Sequence, residues 1–153
     1  MKLNVPYFRQ EKSTTCGPAC LRMIMAFEGI DYFEIEIEEA CETSWLGNTC
    51  EEIADGAKKL GFEAEVVENV TIEYLAELLQ QNHPIIALIS PSVLYGGLPG
   101  FGHFVLVTGL DEKKIYYHDP DIREEIRKET DLFFSAWNKY SFKGVKIWKS
   151  MKK

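Results

Sequence analysis

Cys16 opens the segment Cys16-Gly17-Pro18-Ala19-Cys20, and apolar residues follow at 20, 21, 24, 25 and 27 in helical spacing. A thiol in the first turn of a helix meets the partial positive charge of amides that no intrahelical carbonyl accepts. That field favours the thiolate, the nucleophilic form of cysteine. Gly17 leaves room for a substrate backbone to approach the sulfur, and Pro18 suits a first turn, where its missing N–H is no loss. For Cys20, one turn further along the apolar stripe, and for Cys41 and Cys50, the reading is buried core. A redox dithiol of Cys16 and Cys20 is disfavoured because the pair sit four apart on one helix.

A nucleophilic thiol needs a general base, and the sequence holds three histidines, at 83, 103 and 118. His83 precedes Pro84 at the end of a helical pattern, where a turn or cap role accounts for it. His103 follows the Pro- and Gly-rich stretch Pro91 to Gly102 and begins the apolar run Phe104-Val105-Leu106-Val107, which sets its ring at a sheet edge beside an open cleft. His103 is therefore the candidate base. Asp119, in His118-Asp119-Pro120, ends the next strand, and a hairpin through Leu110-Asp111-Glu112-Lys113 brings it near the base, where a carboxylate fixes the imidazole tautomer. Turn formation at Asp-Pro is the competing role for Asp119. Gln10, six residues before the cysteine, can donate a neutral amide N–H to an oxyanion beside the backbone N–H of Cys16; plain surface polarity is its alternative.

These residues need elements to carry them. The spacing predicts a helix over Cys16 to Glu28 with Thr14 or Thr15 as cap and Gly29 as terminator, a second around Phe33 to Cys41, and a third from a Thr49-x-x-Glu52 capping box to Leu60. Strands are expected at Phe62 to Glu68, Ile85 to Ile89, Phe104 to Thr108, Ile115 to His118 and Gly144 to Trp148, with helices at Thr71 to Gln81 and Asp131 to Tyr140. Helices early and strands late make an α+β pattern, with helices on one side of an antiparallel sheet.

Composition narrows the function classes. At 153 residues the chain suits one domain, 1–153. Hydrophobic residues at 46% and charged residues at 27% are globular values, which excludes a disordered chain. The net charge of -7 repels polyphosphate and speaks against a nucleic-acid partner. Pro6 and Arg9 interrupt the amino terminus, and the longest apolar run, Ile85 to Ile89, cannot span a bilayer; a cytoplasmic protein with no membrane insertion is expected. The cysteine spacings of 4, 21 and 9 lack paired metal-ligand clusters, so no metal or cofactor is expected.

The set Val5-Pro6-Tyr7-Phe8-x-Gln10, Cys16-Gly17-Pro18-Ala19-Cys20, Gly61-Phe62, Gly102-His103-Phe104-Val105 and His118-Asp119-Pro120 resembles the double-glycine leader peptidases, cysteine peptidase domains that process bacteriocin precursors, and their stand-alone peptidase-like relatives. The resemblance runs from residue 5 to the Phe133-x3-Trp137 segment. It implies a papain-like cysteine peptidase fold, with Cys16 as nucleophile, His103 as base, Asp119 as its orienting partner and Gln10 as oxyanion donor. It further implies a peptide or protein substrate. Leader peptidases are usually fused to a transporter, and this sequence departs from them in showing neither transmembrane helices nor a nucleotide-binding motif, which leaves the double-glycine substrate and the identity of any separate transporter or delivery partner open. Trp45, Tyr95 and the loop Gly96-Gly97-Leu98-Pro99-Gly100 are candidates for lining a substrate groove. Two other functions stay open: an acyl transfer to an amine, as in transglutaminases or γ-glutamyl transferases, and a non-catalytic peptide-binding module.

Overall fold

The helix expected at the cysteine forms as α1 (Cys16–Phe27), which buries Cys20, Leu21, Ile24 and Met25 along one stripe. Past its end Gly29 adopts a φ of 87°, a left-handed conformation that glycine takes without a Cβ clash. Thr15 stands at the N-cap but does not cap. Its hydroxyl instead exchanges hydrogen bonds with the backbone of Lys12, accepting from N–H and donating to C=O at 3.0 Å each. The first turn of α1 thus has no side-chain oxygen over its amides.

The structure, a computed structural model, describes residues 1–150; the last three residues of the expected 1–153 domain lie outside the described residues. After α2 (Glu34–Ala40) comes α3 (Cys50–Lys59), where the capping box is complete. Glu52 N–H donates to Thr49 Oγ1 at 3.1 Å, and Thr49 N–H donates to Glu52 Oε1 at 2.9 Å. The remaining chain runs β1 (Phe62–Val67), α4 (Ile72–Gln80), β2 (Ile85–Ile89), α5 (Pro91–Tyr95), β3 (His103–Leu110), β4 (Lys114–Asp119), β5 (Arg123–Glu129), α6 (Thr130–Asn138) and β6 (Gly144–Lys149). Short α5 falls inside the stretch expected to be loop, and β5 was not among the expected strands.

The six strands make one antiparallel sheet in the order β1-β6-β2-β3-β4-β5. The central strands β2, β3 and β4 are almost wholly buried, so helices cover both faces rather than one. Successive strand residues point to opposite faces. His118 therefore turns toward the N-terminal segment, while Tyr117 packs on Phe133 of α6 with ring centroids 5.1 Å apart. On the His118 face, α1 seats against β3: a Cβ on Gly17 would come within 3.3 Å of Phe104 and 2.5 Å of Ile53 from α3. Gly17 thus lets α1 pack closely on β3 and α3, a role that stands beside the expected room for substrate.

One core cluster joins both layers, and Trp137, Tyr117 and Phe133 are its largest fully buried side chains. Each such side chain contributes about 1.5–3 kcal/mol through burial. Among the described residues, no helix is long and apolar enough to cross a membrane.

Candidate active site

The N-terminal segment reaches the site because β4 holds it. His118 Nε2 donates to Val5 O at 2.8 Å, Tyr7 Oη donates to Asp119 O at 2.7 Å, and Gln10 N donates to Pro120 O at 2.9 Å. Three consecutive residues of β4 and its turn thereby align the chain that leads into Cys16. His118 is used up in this way, since its Nδ1 accepts the Glu125 N–H at 3.0 Å. His83 is engaged elsewhere, edge-on to Trp148 at 6.5 Å, with burial lowering its pKa.

His103 stands at the first residue of β3. The pairing Leu106↔His118 puts His103 and Asp119 on one face of the sheet, diagonally across the two strands. His103 Nε2 lies 2.7 Å from Asp119 Oδ1, which leaves Nδ1 as the nitrogen for Cys16. Asp119 is fully buried. Burial works against its charge, yet the His103 ring, the Tyr95 hydroxyl and the Asp121 N–H hold its carboxyl below the ordinary 3.8. For His103 burial also opposes the charge, but the Asp119 carboxylate and the adjacent Cys16 sulfur push the imidazole up to about 10. An imidazolium between a carboxylate and a sulfur is the electrostatic arrangement that sustains a thiolate.

Cys16 and His103 together line a cleft of about 510 Å³. Its wall includes Trp45, Leu46 and Phe101, whose side chains are largely exposed. Gly102 permits the close approach that leads into His103, because a Cβ there would meet Leu88 at 2.8 Å and Tyr140 at 2.9 Å. The other three cysteines are free and buried. Burial pushes Cys41 and Cys50 up to about 12, and raises Cys20 well above the ordinary thiol value, so these sulfurs stay protonated.

The model of the peptidase C39 family matches residues 4–143, which takes in every residue of this arrangement. The chain belongs to the peptidase C39 family. As a C39 member it is a cysteine peptidase of papain-like architecture. The transport/processing ATP-binding protein ComA of Streptococcus pneumoniae is 30% identical over 140 residues, covering 90% of this chain and 18% of ComA. The chain thus spans less than a fifth of the curated relatives it matches. Among solved structures, the peptidase domain of Streptococcus ComA superimposes with a TM-score of 0.74 at 23% identity, over 94% of this chain and 97% of that one. A C39-like peptidase from Bacillus anthracis reaches 0.80 at 17% identity, covering 97% and 96%. A double glycine motif protease from an AMS/PCAT transporter, in complex with its leader peptide, reaches 0.72 at 20% identity, covering 95% and 91%.

Within this C39 domain the four expected site residues stand differently. Cys16, His103 and Asp119 meet as described. Gln10 is brought to the same end of β4, but one of its amide hydrogens goes to Lys12 O at 2.8 Å and its buried Oε1 has no partner. Trp45 does line the cleft, whereas Tyr95 turns its hydroxyl to Asp119 Oδ2 at 2.7 Å. That bond, between residues 24 apart, was missed in the sequence, where Tyr95 beside a glycine pair was read as a candidate for lining a substrate groove.

Proposed function

We propose that domain 1–153 cleaves a peptide through an acyl-enzyme, with Cys16 as nucleophile, His103 as base, Asp119 as its orienting partner and Gln10 as oxyanion donor. The observation that carries this reading is His103 held between Asp119 Oδ1 and the Cys16 sulfur at the floor of an open cleft. The Cys16 thiolate attacks the scissile carbonyl, and the carbonyl π electrons move onto oxygen. The second amide hydrogen of Gln10 and the backbone N–H of Cys16 stabilise that oxyanion. His103 then gives its Nδ1 proton to the leaving amine as the C–N bond breaks, and takes one from the water that hydrolyses the thioester.

The substrate class is a leader-type peptide, presented to the cleft by a transporter or other delivery partner. Support comes from the exposed apolar wall of Trp45, Leu46 and Phe101, which suits an extended peptide with apolar side chains, and from the likeness to a protease solved with a leader peptide. Four free thiols suit a reducing compartment such as the cytoplasm.

Digestion of a peptide library by wild type and Cys16→Ala tests the reading. Cleavage by wild type alone, with release of a new carboxyl terminus, is expected. Binding without cleavage by both proteins would replace it with the peptide-binding module, and aminated products would replace it with acyl transfer.

A further inference from the structure

Asp119 has a second partner that the Cys-His-Asp reading does not use. Its Oδ2 accepts the Tyr95 hydroxyl at 2.7 Å, while Oδ1 faces His103 and accepts the Asp121 N–H at 2.9 Å. The Tyr95 oxygen lies 2.9 Å from that of Tyr117, which is fully buried against Phe133. A phenol has one proton. Since Tyr95 gives its proton to the carboxylate, Tyr117 is the donor to Tyr95, and the chain runs one way from Tyr117 through Tyr95 to Asp119. Burial and the nearby Asp119 charge raise the Tyr95 pKa and keep the phenol protonated.

The segment has a second property. Tyr95 ends α5 and is followed by Gly96 and Gly97, both at positive φ, before the chain passes the exposed Leu98 and Phe101 to reach His103. Residues 95 and 103, the two ends of this loop, therefore grip the two oxygens of one buried carboxylate. A carboxylate held at Oδ1 alone can rotate about its χ2 and carry the imidazole off line; a donor at Oδ2 removes that freedom.

We propose that Tyr95 is a positioning residue: its hydroxyl, supported by Tyr117, fixes the Asp119 carboxylate and so holds His103 in line with Cys16. The proposal rests on the Cys16-His103-Asp119 reading above. Tyr95 acts through Asp119 and touches no reacting atom. Tyr95→Phe keeps the ring, its packing and the Lys128 ammonium 5.5 Å above it, and removes the donor to Asp119 together with the acceptor of the Tyr117 hydroxyl.

The test is the rate of Cys16 alkylation by iodoacetamide across pH, in wild type, Tyr95→Phe, Asp119→Asn and the double variant, with thermal melts in parallel. At about pH 6, where a free thiol is almost wholly protonated, Tyr95→Phe should react on the order of tenfold more slowly than wild type, and the difference should vanish above about pH 9, where any thiol ionises. In the Asp119→Asn background the same change should have no further effect. A wild-type rate at pH 6, or an equal slowing with and without Asp119, overturns the proposal. Wild type reacting like a free thiol overturns the triad reading and this proposal with it, which separates the two failures. If Tyr95→Phe does not fold, Tyr117→Phe removes the support from the far end; a smaller slowing confined to low pH is expected, and no slowing overturns the proposal.

Discussion

His103 points its far nitrogen, Nε2, at Asp119 across 2.7 Å, so the carboxylate reads the side of the ring remote from the sulfur. The contact is made by strand register rather than by sequence neighbourhood: the residues are 16 apart and share a face because Leu106 pairs with His118. Replacing Asp119 by Asn keeps the shape and removes the charge that holds the imidazolium. Peptide cleavage by Asp119→Asn should fall on the order of a hundredfold or more, chiefly in kcat. Steady-state kinetics on a peptide found in the library digest checks this.

Stability should carry the same signature. The folded His103 pKa of about 10 lies above its ordinary 6.5, so the group contributes stability that is complete below about pH 6.5 and is lost as pH rises toward 10. Denaturant unfolding of wild type and His103→Ala should therefore give a stability gap that narrows steadily across that window. A gap independent of pH between 6.5 and 10 would contradict the assignment. Asp119 works in the opposite sense, adding stability above the ordinary carboxylate value that is lost as pH falls through its lowered one.

Two glycines make predictions about packing. Gly144 pairs with Ala87 across β6 and β2, and a Cβ there would run into the carbonyl of Ile86, which is backbone and cannot turn away. Gly144→Ala should destabilise the fold by about 1–3 kcal/mol. At Gly17 the first atom met is the tip of Ile53, so Gly17→Ala in an Ile53→Val background should recover part of the loss seen in Gly17→Ala alone. Chemical denaturation of the single and double variants measures both.

Much of the positioning frame was legible from local signals. The stripe after Cys16, the Thr49-x-x-Glu52 box and the β-branched run Ile85 to Ile89 each produced the expected element within a residue or two. What escaped had weak local signals. Strand β5 buries only Ile126 well among its charged neighbours, as suits a sheet edge that must resist pairing with another chain. Helix α5 is five residues long, too short for periodicity to register. The Tyr95 hydroxyl bond is set by how β3, β4 and α5 come together, which no spacing rule encodes. Thr15 was expected as a possible cap and occupies the N-cap position, but Lys12 offers it both a donor and an acceptor, and that local turn wins.

The thread joining Val5, Tyr7 and Gln10 to His118, Asp119 and Pro120 predicts a further coupling. Tyr7→Phe removes the donor to Asp119 O without touching the cleft. It should lower stability by about 1 kcal/mol, as expected for one partly buried hydrogen bond. Thermal or denaturant unfolding at pH 7 checks the size of the effect.

The central claim is that His103 activates Cys16. Its most direct measurement is the rate of Cys16 carboxymethylation at about pH 6, followed by mass spectrometry, in wild type and His103→Ala. Wild type should react much faster than an ordinary thiol, and His103→Ala should fall back to the rate of one. Equal rates in the two proteins would contradict the account.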